Sequence, residues 1–325
     1  MSAVTGFFSH ARVFDDNVVP ETPETPERLS ALEERMIALG LDDFLEHFEA
    51  EPASLRELSL AHDVAYIEAL RRESAGEKLA GEEAERFVLP DTRVGPKTYE
   101  AAALSAGCAV AAVRAVAAGR IRNAFCGVRP PGHHAGRASA GGFCFFNNVA
   151  VAAKYAKTLG LQRIAILDFD AHHGDGTEEI VAGDEAIRFW SLFQWPFYPG
   201  KRCEPAPENC RQSPLPAGAD GEALRRLLET QWLPQLQSYR PQLILLSAGF
   251  DGHSEETMAQ LKFTEVDYAY LTRRIAQVAQ SVCGGRIVSV LEGGYNVRTF
   301  SRCALVHLQT LVRAARGALE SDSSL

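Results

Sequence analysis

Residues 163–176, RIAILDFDAHHGDG, join a short apolar run to five ionisable side chains. The aliphatic side chains of Ile164 and Ile166 fit a strand that is buried on both faces, as a parallel strand covered by helices is. Three aspartates and two histidines follow at its end, where their burial would be costly without a purpose. The stretch therefore predicts a parallel strand that leads into a polar site.

Three further apolar runs of strand length also end in polar clusters, namely 123–128, 242–249 and 286–294. The clusters at their ends contain RPPGHHA, GFDGH and EGGYN. In open α/β sheets, ligands bind at the carboxyl ends of the strands. We therefore expect one α/β domain with a parallel sheet and a site built from these loops.

Helical patterns lie between and around the predicted strands. Thr25 is placed as the N-cap of one helix, with Pro26 at its first helical position. Residues 98–119 are Ala-rich, which is typical of a helix buried on most sides. Thr264 and Asp267 form a variant capping box at the start of another helix. We expect these helices to flank the sheet.

Length and composition limit the classes of protein to consider. The chain has 325 residues, and we predict one domain over 1–320 with a loose tail at 321–325. Its net charge of −9 repels nucleic-acid phosphates. No export signal and no run of about 18 apolar residues is evident, and the seven scattered cysteines fit a reducing compartment. We expect a cytoplasmic protein with neither nucleic acid nor membrane as partner.

The polar end of the first strand offers ligands for a metal ion. Strand alternation places Asp168 and Asp170 on one face, with His172 next if the extended geometry continues. Asp251, after another strand, can supply a third ligand, and this donor set suits Zn²⁺ or a similar divalent ion. The alternative is that the aspartates only cap the following helix, but the other polar strand ends weigh against it.

The tandem histidines His133 and His134 follow a Pro-Pro-Gly segment, so one or both rings can reach the same site. Asp168 and Asp175 are available to pair with them as His–Asp dyads, in which each carboxylate orients a ring and raises its basicity. Tyr295 follows two glycines, which permit the turn that would aim its hydroxyl at a developing oxyanion.

Five motifs in this order and spacing resemble one known family. They are RPPGHHA, GGFCFFNN, DFDAHHGDGT, SAGFDGH and LEGGYN, and LPDTRVGPKTYEAA is a further matching segment upstream. Together they resemble the zinc-dependent histone deacetylase family, closest to its class II and bacterial acetylpolyamine amidohydrolase branches. The resemblance implies the arginase-deacetylase fold, an α/β single domain with a central, mainly parallel eight-stranded sheet flanked by helices.

The resemblance also implies a role for each matching residue. The implied zinc ligands are Asp170, His172 and Asp251. His134, with Asp175 behind it, would be the general base and then the general acid. His133, paired with Asp168, would give electrostatic support, and Tyr295 would polarise the amide carbonyl.

The implied substrate channel and a second ion site lie beside this centre. The residues that would line the narrow channel for an alkyl chain are Gly142, Phe143 and Tyr198. Asp91 would lie at the rim and hold the substrate backbone or a polar tail. A potassium ion would be bound by Asp168, Ser191 and the backbone carbonyls of Asp170, His172 and Leu192.

Two positions depart from the family pattern. Thr22 stands where a histidine is common before Pro-Glu, and Phe193 stands where a histidine often follows Ser-Leu. We expect the first to affect loop packing, and the second to affect pocket shape and the surroundings of the monovalent ion.

Three functions are compared. The first is a zinc-dependent deacetylase that hydrolyses acetyl-lysine or an acetylated polyamine to acetate and a free amine. An arginase-type ureohydrolase with two manganese ions would need a further carboxylate where the chain has Gly174. A module that binds acetyl-lysine without turnover is disfavoured because Tyr295 and the histidine pair are present.

The substrate, the metal and the assembly stay open at this point. Glu255 and Glu256 could attract a second ammonium group at the pocket mouth, or they could belong to a solvated acidic loop. The same ligands could hold Fe²⁺ instead of Zn²⁺. A homo-oligomer is compatible with the sequence.

Overall fold

A parallel β-sheet forms the centre of the molecule. The computed structural model describes residues 4–15, 18–87 and 89–319, and the tail predicted at 321–325 lies outside them. Within these ranges eight strands form one sheet in the order β2-β1-β3-β8-β7-β4-β5-β6, and all neighbouring strands are parallel. The strands are β1 Thr5–Ser9, β2 Leu45–Glu49, β3 Asn123–Cys126, β4 Ile164–Asp168, β5 Ile187–Gln194, β6 Cys210–Leu215, β7 Leu243–Ala248 and β8 Ile287–Leu291. The predicted α/β fold with its eight-stranded sheet is confirmed.

The four strands predicted from apolar runs are adjacent in the sheet. β3, β8, β7 and β4 form its centre, and every residue in them is buried. Each is shorter than its prediction, because the residues that lead into the polar loops lie outside the ladder. Since parallel strands end at the same edge of a sheet, this order brings four polar loops together.

Helices cover both faces of the sheet. They are α1 Glu27–Ala38, α2 Leu55–Leu58, α3 Val64–Ser74, α4 Glu82–Glu85, α5 Thr98–Ala117, α6 Asn148–Thr158, α7 Asp175–Val181, α8 Gly221–Leu227, α9 Leu233–Tyr239, α10 Glu265–Cys283 and α11 Val297–Ala315. Short 3₁₀ segments occupy Ala11–Phe14 and Asp42–Phe44, and the π-helical segment Leu228–Trp232 joins α8 to α9.

Two helix starts can be compared with their predictions. α1 begins one residue after the predicted start, with Pro26 as its N-cap and no side-chain capping bond, so the N-cap role expected of Thr25 is wrong. The backbone carbonyl of Thr25 instead accepts from the amide of Arg28. The capping box of Thr264 and Asp267 at α10 is present.

Strand residues alternate between two hydrophobic cores. Ile164 and Ile166 of β4 belong to the core that includes residues of α5 and α6, whereas Ala165 and Leu167 belong to the core that includes residues of α10 and α11. Burying one such aliphatic side chain stabilises the fold by about 1.5–3 kcal/mol. α5 is long and apolar enough to cross a membrane by length and composition alone, yet most of it is buried inside the fold.

His307 of α11 is a buried neutral histidine in one of these cores. Thr272 Oγ1 donates to the carbonyl of Tyr268, so it accepts from His307 Nδ1 at 2.7 Å. His307 Nε2 then accepts from Ser289 Oγ at 2.8 Å. Burial lowers the pKa of His307 from 6.5 to about 3. His10 and His62 are also buried, and burial lowers the pKa of each to about 4.

We expect acid to destabilise the fold through His307. Below pH 6.5 the unfolded chain takes up a proton that folded His307 refuses until about pH 3, so stability is lost as the pH falls. One such group contributes a slope of about 1.4 kcal/mol per pH unit. Urea unfolding between pH 4 and pH 6.5 should therefore show a shallower slope for His307→Gln than for the unchanged protein. Equal slopes would contradict this account.

Candidate active site

The polar loops after the four central strands meet at one edge of the sheet. The loop after β3 carries His133 and His134, and the loop after β4 carries the DFDAHHGDG residues. Asp251 follows β7, and Tyr295 follows β8. The predicted site residues of all four loops are thus placed around one space, because β3, β8, β7 and β4 are neighbours.

Asp170, His172 and Asp251 have the geometry of a metal-binding triad. One ligand atom from each lies within 4.8 Å of the other two, and all three residues are buried. His172 Nε2 lies 3.0 Å from the carbonyl oxygen of Met258 and donates to it, which leaves the Nδ1 lone pair facing the carboxylates. Nδ1 is 3.1 Å from Asp170 Oδ1 and 2.8 Å from Asp251 Oδ2.

The charge of this triad fits a divalent cation. Asp251 Oδ2 is buried and accepts no hydrogen bond from the described residues. Burial and the charge of Asp170 raise the pKa of Asp251 to about 6. Burial alone would lower the pKa of His172, but Asp251 and Asp170 raise it to about 10. The cluster thus attracts a positive charge to the place where three metal-ligand atoms converge.

Backbone amides fix the two carboxylates. Asp170 Oδ2 accepts from the amide of Gly293 at 2.9 Å, and Asp251 Oδ1 accepts from the amide of Ala171 at 2.9 Å. β4 ends at Asp168, so the expectation that strand alternation continues to His172 is wrong. The chain turns beyond the strand, where Asp168 Oδ1 accepts from the amide of Asp170 at 3.1 Å, and the side chains converge through this turn.

Glycines allow the loops to approach the carboxylates closely. A Cβ atom on Gly249 would lie 2.0 Å from Asp170 Oδ2, and one on Gly293 would lie 2.7 Å from Asp251 Oδ2. A Cβ atom on Gly174 would lie 2.2 Å from Asp168 Oδ2. Position 174 therefore has no room for the further carboxylate of a two-manganese centre.

The two histidines form separate pairs with aspartates. His133 Nδ1 lies 3.0 Å from Asp168 Oδ2, and His134 Nδ1 lies 2.7 Å from Asp175 Oδ1. The centroids of the two imidazole rings are 4.0 Å apart. Both rings are nearly inaccessible to solvent.

The surroundings give the two histidines opposite protonation states. Burial would lower the pKa of His133, but the carboxylates of Asp170 and Asp168 raise it well above its ordinary value. Burial and the neighbouring charge of His133 lower the pKa of His134 to about 4. A cationic ring thus lies beside a neutral ring, and this division of roles is typical of acid–base sites.

A pocket of about 270 Å³ leads to the site. It is lined by Asp91, His133, His134, Gly142, Phe143, His172, Phe197, Tyr198, Met258 and Tyr295. The rings of Phe143 and Tyr295 meet edge to face with centroids 5.3 Å apart, and Phe197 stacks on His172 at 5.7 Å. Tyr295 is half-buried in this wall.

The wall at Gly142 and Phe143 is formed by unusual backbone. Gly142 has a φ of +52°, and a Cβ atom there would lie 2.2 Å from His134 Cδ2. Phe143 has a φ of +67°, which is rare for a bulky residue. Its amide donates to Thr92 Oγ1, which donates to Asp91 Oδ1. These contacts join the pocket wall at Phe143 to the Asp91 carboxylate and hold a strained turn in place.

The side chains predicted to bind potassium lie on neighbouring strands. Asp168 is in register with Ser191 of β5, and Leu192 is the next residue of that strand. Ser191 Oγ lies 3.0 Å from His173 Nδ1. Phe193 packs on the His173 ring with centroids 4.4 Å apart, so this departure from the family pattern lies next to the predicted ion ligands. The ligand set remains a prediction.

The other departure, Thr22, has a local packing role. Its hydroxyl donates to the carbonyl of Val19 at 2.8 Å.

The hypothesis of an acidic pocket mouth is wrong for Glu256. This residue is buried, and its Oε2 accepts from the amides of Tyr295 at 2.7 Å and Asn296 at 2.9 Å. Glu255 pairs with Arg302 at 3.0 Å, and neither glutamate lines the pocket. Glu256 therefore holds the backbone at Tyr295 and Asn296 in place. The spacing of these residues in the sequence did not indicate this contact.

Two further charged residues support the site and were missed from the sequence. Glu292 Oε2 accepts from the amides of Gly132 at 2.7 Å and His133 at 3.0 Å. Arg28 donates to the carbonyls of Gly294 and Glu292 and lies 4.9 Å from the centroid of the Tyr295 ring. The signal for Glu292 was available, since it is an acidic residue directly after an apolar strand.

A second cluster, His253, Glu265 and Cys303, also brings metal-ligand atoms together. His253 Nδ1 accepts from the amide of Glu255 at 3.1 Å, so the ring carries its proton on Nε2 and donates to Glu265. Burial raises the pKa of the Cys303 thiol well above its ordinary value. This cluster is therefore poorly suited to a metal.

Comparisons with known proteins identify relatives over nearly the whole chain. The family profile described as "Histone deacetylase domain" matches residues 22–311. A probable deacetylase of Archaeoglobus fulgidus is 36% identical over 305 residues, which cover 90% of this chain and 82% of that protein. A histone deacetylase-like amidohydrolase of Pseudomonas aeruginosa is 37% identical, with 91% and 78% covered.

A longer relative and a solved structure extend this comparison. The polyamine deacetylase HDAC10 of Mus musculus is 36% identical over 89% of this chain but only 45% of its own length. The crystal structure of the HDA15 HD domain superposes with a TM-score of 0.84 at 26% identity, covering 98% of this chain and 93% of that one.

Glu292 gives a prediction about the stability of the site. Glu292→Ala would leave two buried amides unpaired, at a cost of about 1–3 kcal/mol each, so the free energy of unfolding should fall by about 2–6 kcal/mol. Glu292→Gln keeps an oxygen for both amides and should lose less. Urea unfolding of both variants measures this, with the exposed Glu255→Ala as a control that changes far less. If Ala and Gln cost the same, the amide contacts are not what Glu292 contributes.

Proposed function

The chain belongs to the histone deacetylase family, and on this basis we propose that it is a metal-dependent amidohydrolase that deacetylates a primary amine on an alkyl chain. The observation that carries the proposal is the convergence of Asp170, His172 and Asp251 at the inner end of an apolar pocket. Two His–Asp pairs and a tyrosine surround the same space.

The triad would hold the metal, with Zn²⁺ as the proposed ion and Fe²⁺ as an alternative for the same donors. When bound, the ion supplies Lewis-acid polarisation of the amide carbonyl and lowers the pKa of water. The side chains of the chain then have to orient the substrate and move protons.

His134 is placed to move the proton. Its low pKa keeps the ring neutral near pH 7, and its Nδ1–H donates to Asp175. Nε2 is therefore free to take a proton from the attacking water and to deliver it to the nitrogen of the leaving amine. Burial would raise the pKa of Asp175, but His134 and Lys201 lower it to about 2, so the charged carboxylate holds this tautomer.

His133 and Tyr295 would stabilise the charge that develops on the carbonyl oxygen. His133 is held as a cation by Asp168 and Asp170, so it adds positive charge beside the reacting atoms. The Tyr295 hydroxyl keeps its proton, because burial raises its pKa well above the ordinary value. It can therefore donate a hydrogen bond to the oxyanion.

We infer that the pocket takes an acetyl-lysine side chain in preference to an acetylated polyamine. Its walls are formed mainly by Phe143, Phe197, Tyr198 and Met258, which suit an alkyl chain. Among its lining residues Asp91 is the carboxylate at the mouth, and Glu255 and Glu256 are held elsewhere. A carboxylate at this place can accept backbone N–H groups of a peptide.

Two other functions have less support. An arginase-type ureohydrolase would need a further carboxylate at position 174, and this chain has no space for one beside Asp168. A pure binding module would not require the His134–Asp175 pair, in which the pKa of each member is lowered, so that a neutral imidazole lies beside a charged carboxylate.

We expect the zinc-loaded protein to release acetate from an acetyl-lysine peptide faster than from N-acetylputrescine. Tyr295→Phe should lower kcat by about 100-fold or more, because one oxyanion donor is lost. The variant keeps the ring that contacts Phe143, so its fold should be unchanged. A preference for N-acetylputrescine would reverse the substrate proposal, and no acetate from either compound would overturn the hydrolase proposal.

A further inference from the structure

Two carboxylates of α7 each bind a histidine and the loop after β5. Asp175 Oδ1 lies 2.7 Å from His134 Nδ1, while Oδ2 lies 2.9 Å from Lys201 Nζ. Glu178 Oε2 lies 3.2 Å from His173 Nε2 and accepts from the amide of Cys203 at 2.9 Å. The rim loop, which we define as residues 195–204, is thus fastened to the same helix that orients His134.

The rim loop also forms part of the pocket wall. It carries Phe197 and Tyr198, and the Tyr198 ring meets His134 edge to face with centroids 5.2 Å apart. The amide of Gly200 donates to the carbonyl of Phe197 at 2.8 Å and closes a turn. This turn brings Lys201 back towards the pocket and over Asp175.

We propose that Lys201 is a positioning residue for the hydrolytic reaction, acting on His134 through Asp175. The inference rests on the proposed function above. A carboxylate with one partner can rotate about its bond, whereas a partner on each oxygen fixes its plane. The ammonium of Lys201 therefore holds Asp175 in the orientation in which Oδ1 receives the His134 Nδ1 proton.

Lys201 acts on Asp175 more than on the pocket wall, because the rim loop has other attachments. The amide of Cys203 is bound by Glu178, and its carbonyl accepts from Gln212 Nε2 at 2.9 Å. Loss of the lysine ammonium leaves both of these contacts in place. The binding of the alkyl chain should therefore change little when Lys201 is replaced.

The size of the effect follows from the exposure of the pair. Asp175 is largely buried, but the Lys201 side chain is 70% exposed, so water screens part of the interaction. An exposed ion pair contributes up to about 1 kcal/mol, which corresponds to roughly three- to fivefold in rate.

The test compares Lys201→Met with Lys201→Arg in the zinc-loaded full chain, using an uncharged acetyl-lysine peptide as substrate. We expect Lys201→Met to lower kcat roughly three- to fivefold with KM within about twofold. Lys201→Arg, which restores a cation for Asp175, should return kcat towards that of the unchanged protein. Lys157→Met is the matched control, since Lys157 is a surface lysine that pairs with another aspartate, Asp184, and does not line the pocket.

The outcomes separate this inference from the proposed function. If the unchanged protein does not hydrolyse the peptide or N-acetylputrescine, the proposed function fails, and the inference fails with it. If the protein is active but Lys201→Met has the same kcat as Lys157→Met, only the role of Lys201 is overturned. A change confined to KM would also overturn it, because Lys201 would then act on the pocket wall.

Discussion

Two buried carboxylates facing one imidazole nitrogen are the interaction on which the rest of the structure depends. Asp170 and Asp251 place oxygens 3.1 Å and 2.8 Å from His172 Nδ1, in a space where an unbalanced charge costs several kcal/mol. Without a cation the cluster raises the proton affinity of His172 and Asp251. A divalent ion would balance the charge of the two carboxylates without a bound proton. The cation that the cluster requires is therefore the same ion that the proposed reaction uses.

The fold keeps this charge cluster in place through its surroundings. The carboxyl ends of the adjacent central strands supply the ligands, and glycines at 249 and 293 let the loops approach closely. Two further buried charged residues lie around them. Glu292 binds the backbone amides of Gly132 and His133, and Arg28 binds the backbone carbonyl of Gly294. The site is therefore positioned by backbone amides and carbonyls as much as by the side chains that would react.

The sequence predicted the centre of the sheet better than its edges. The strand at Ile164–Asp168 and its three neighbours are aliphatic because helices cover both faces. The outer strand Leu45–Glu49 is only partly buried and alternates with charged residues, so its signal is weak in the sequence. It was expected only through the family resemblance.

Within the site, residue types could be predicted but several contacts could not. Clusters of Asp and His after apolar runs indicated the metal triad and the histidine pairs. The role of Glu256 was predicted wrongly because its hydrogen bonds join segments that are about 40 residues apart in the sequence. Its partners are the amides of Tyr295 and Asn296. Lys201 gave no sequence signal, because only the turn of the rim loop brings it to Asp175.

The most direct test of the central claim is an anomalous diffraction measurement at the zinc edge on crystals of the zinc-loaded protein. The account predicts one strong peak at the triad, bound by Asp170, Asp251 and Nδ1 of His172, with the bond from Nε2 to the Met258 carbonyl retained. A peak at another cluster, ligation through Nε2, or no zinc at the triad would contradict it.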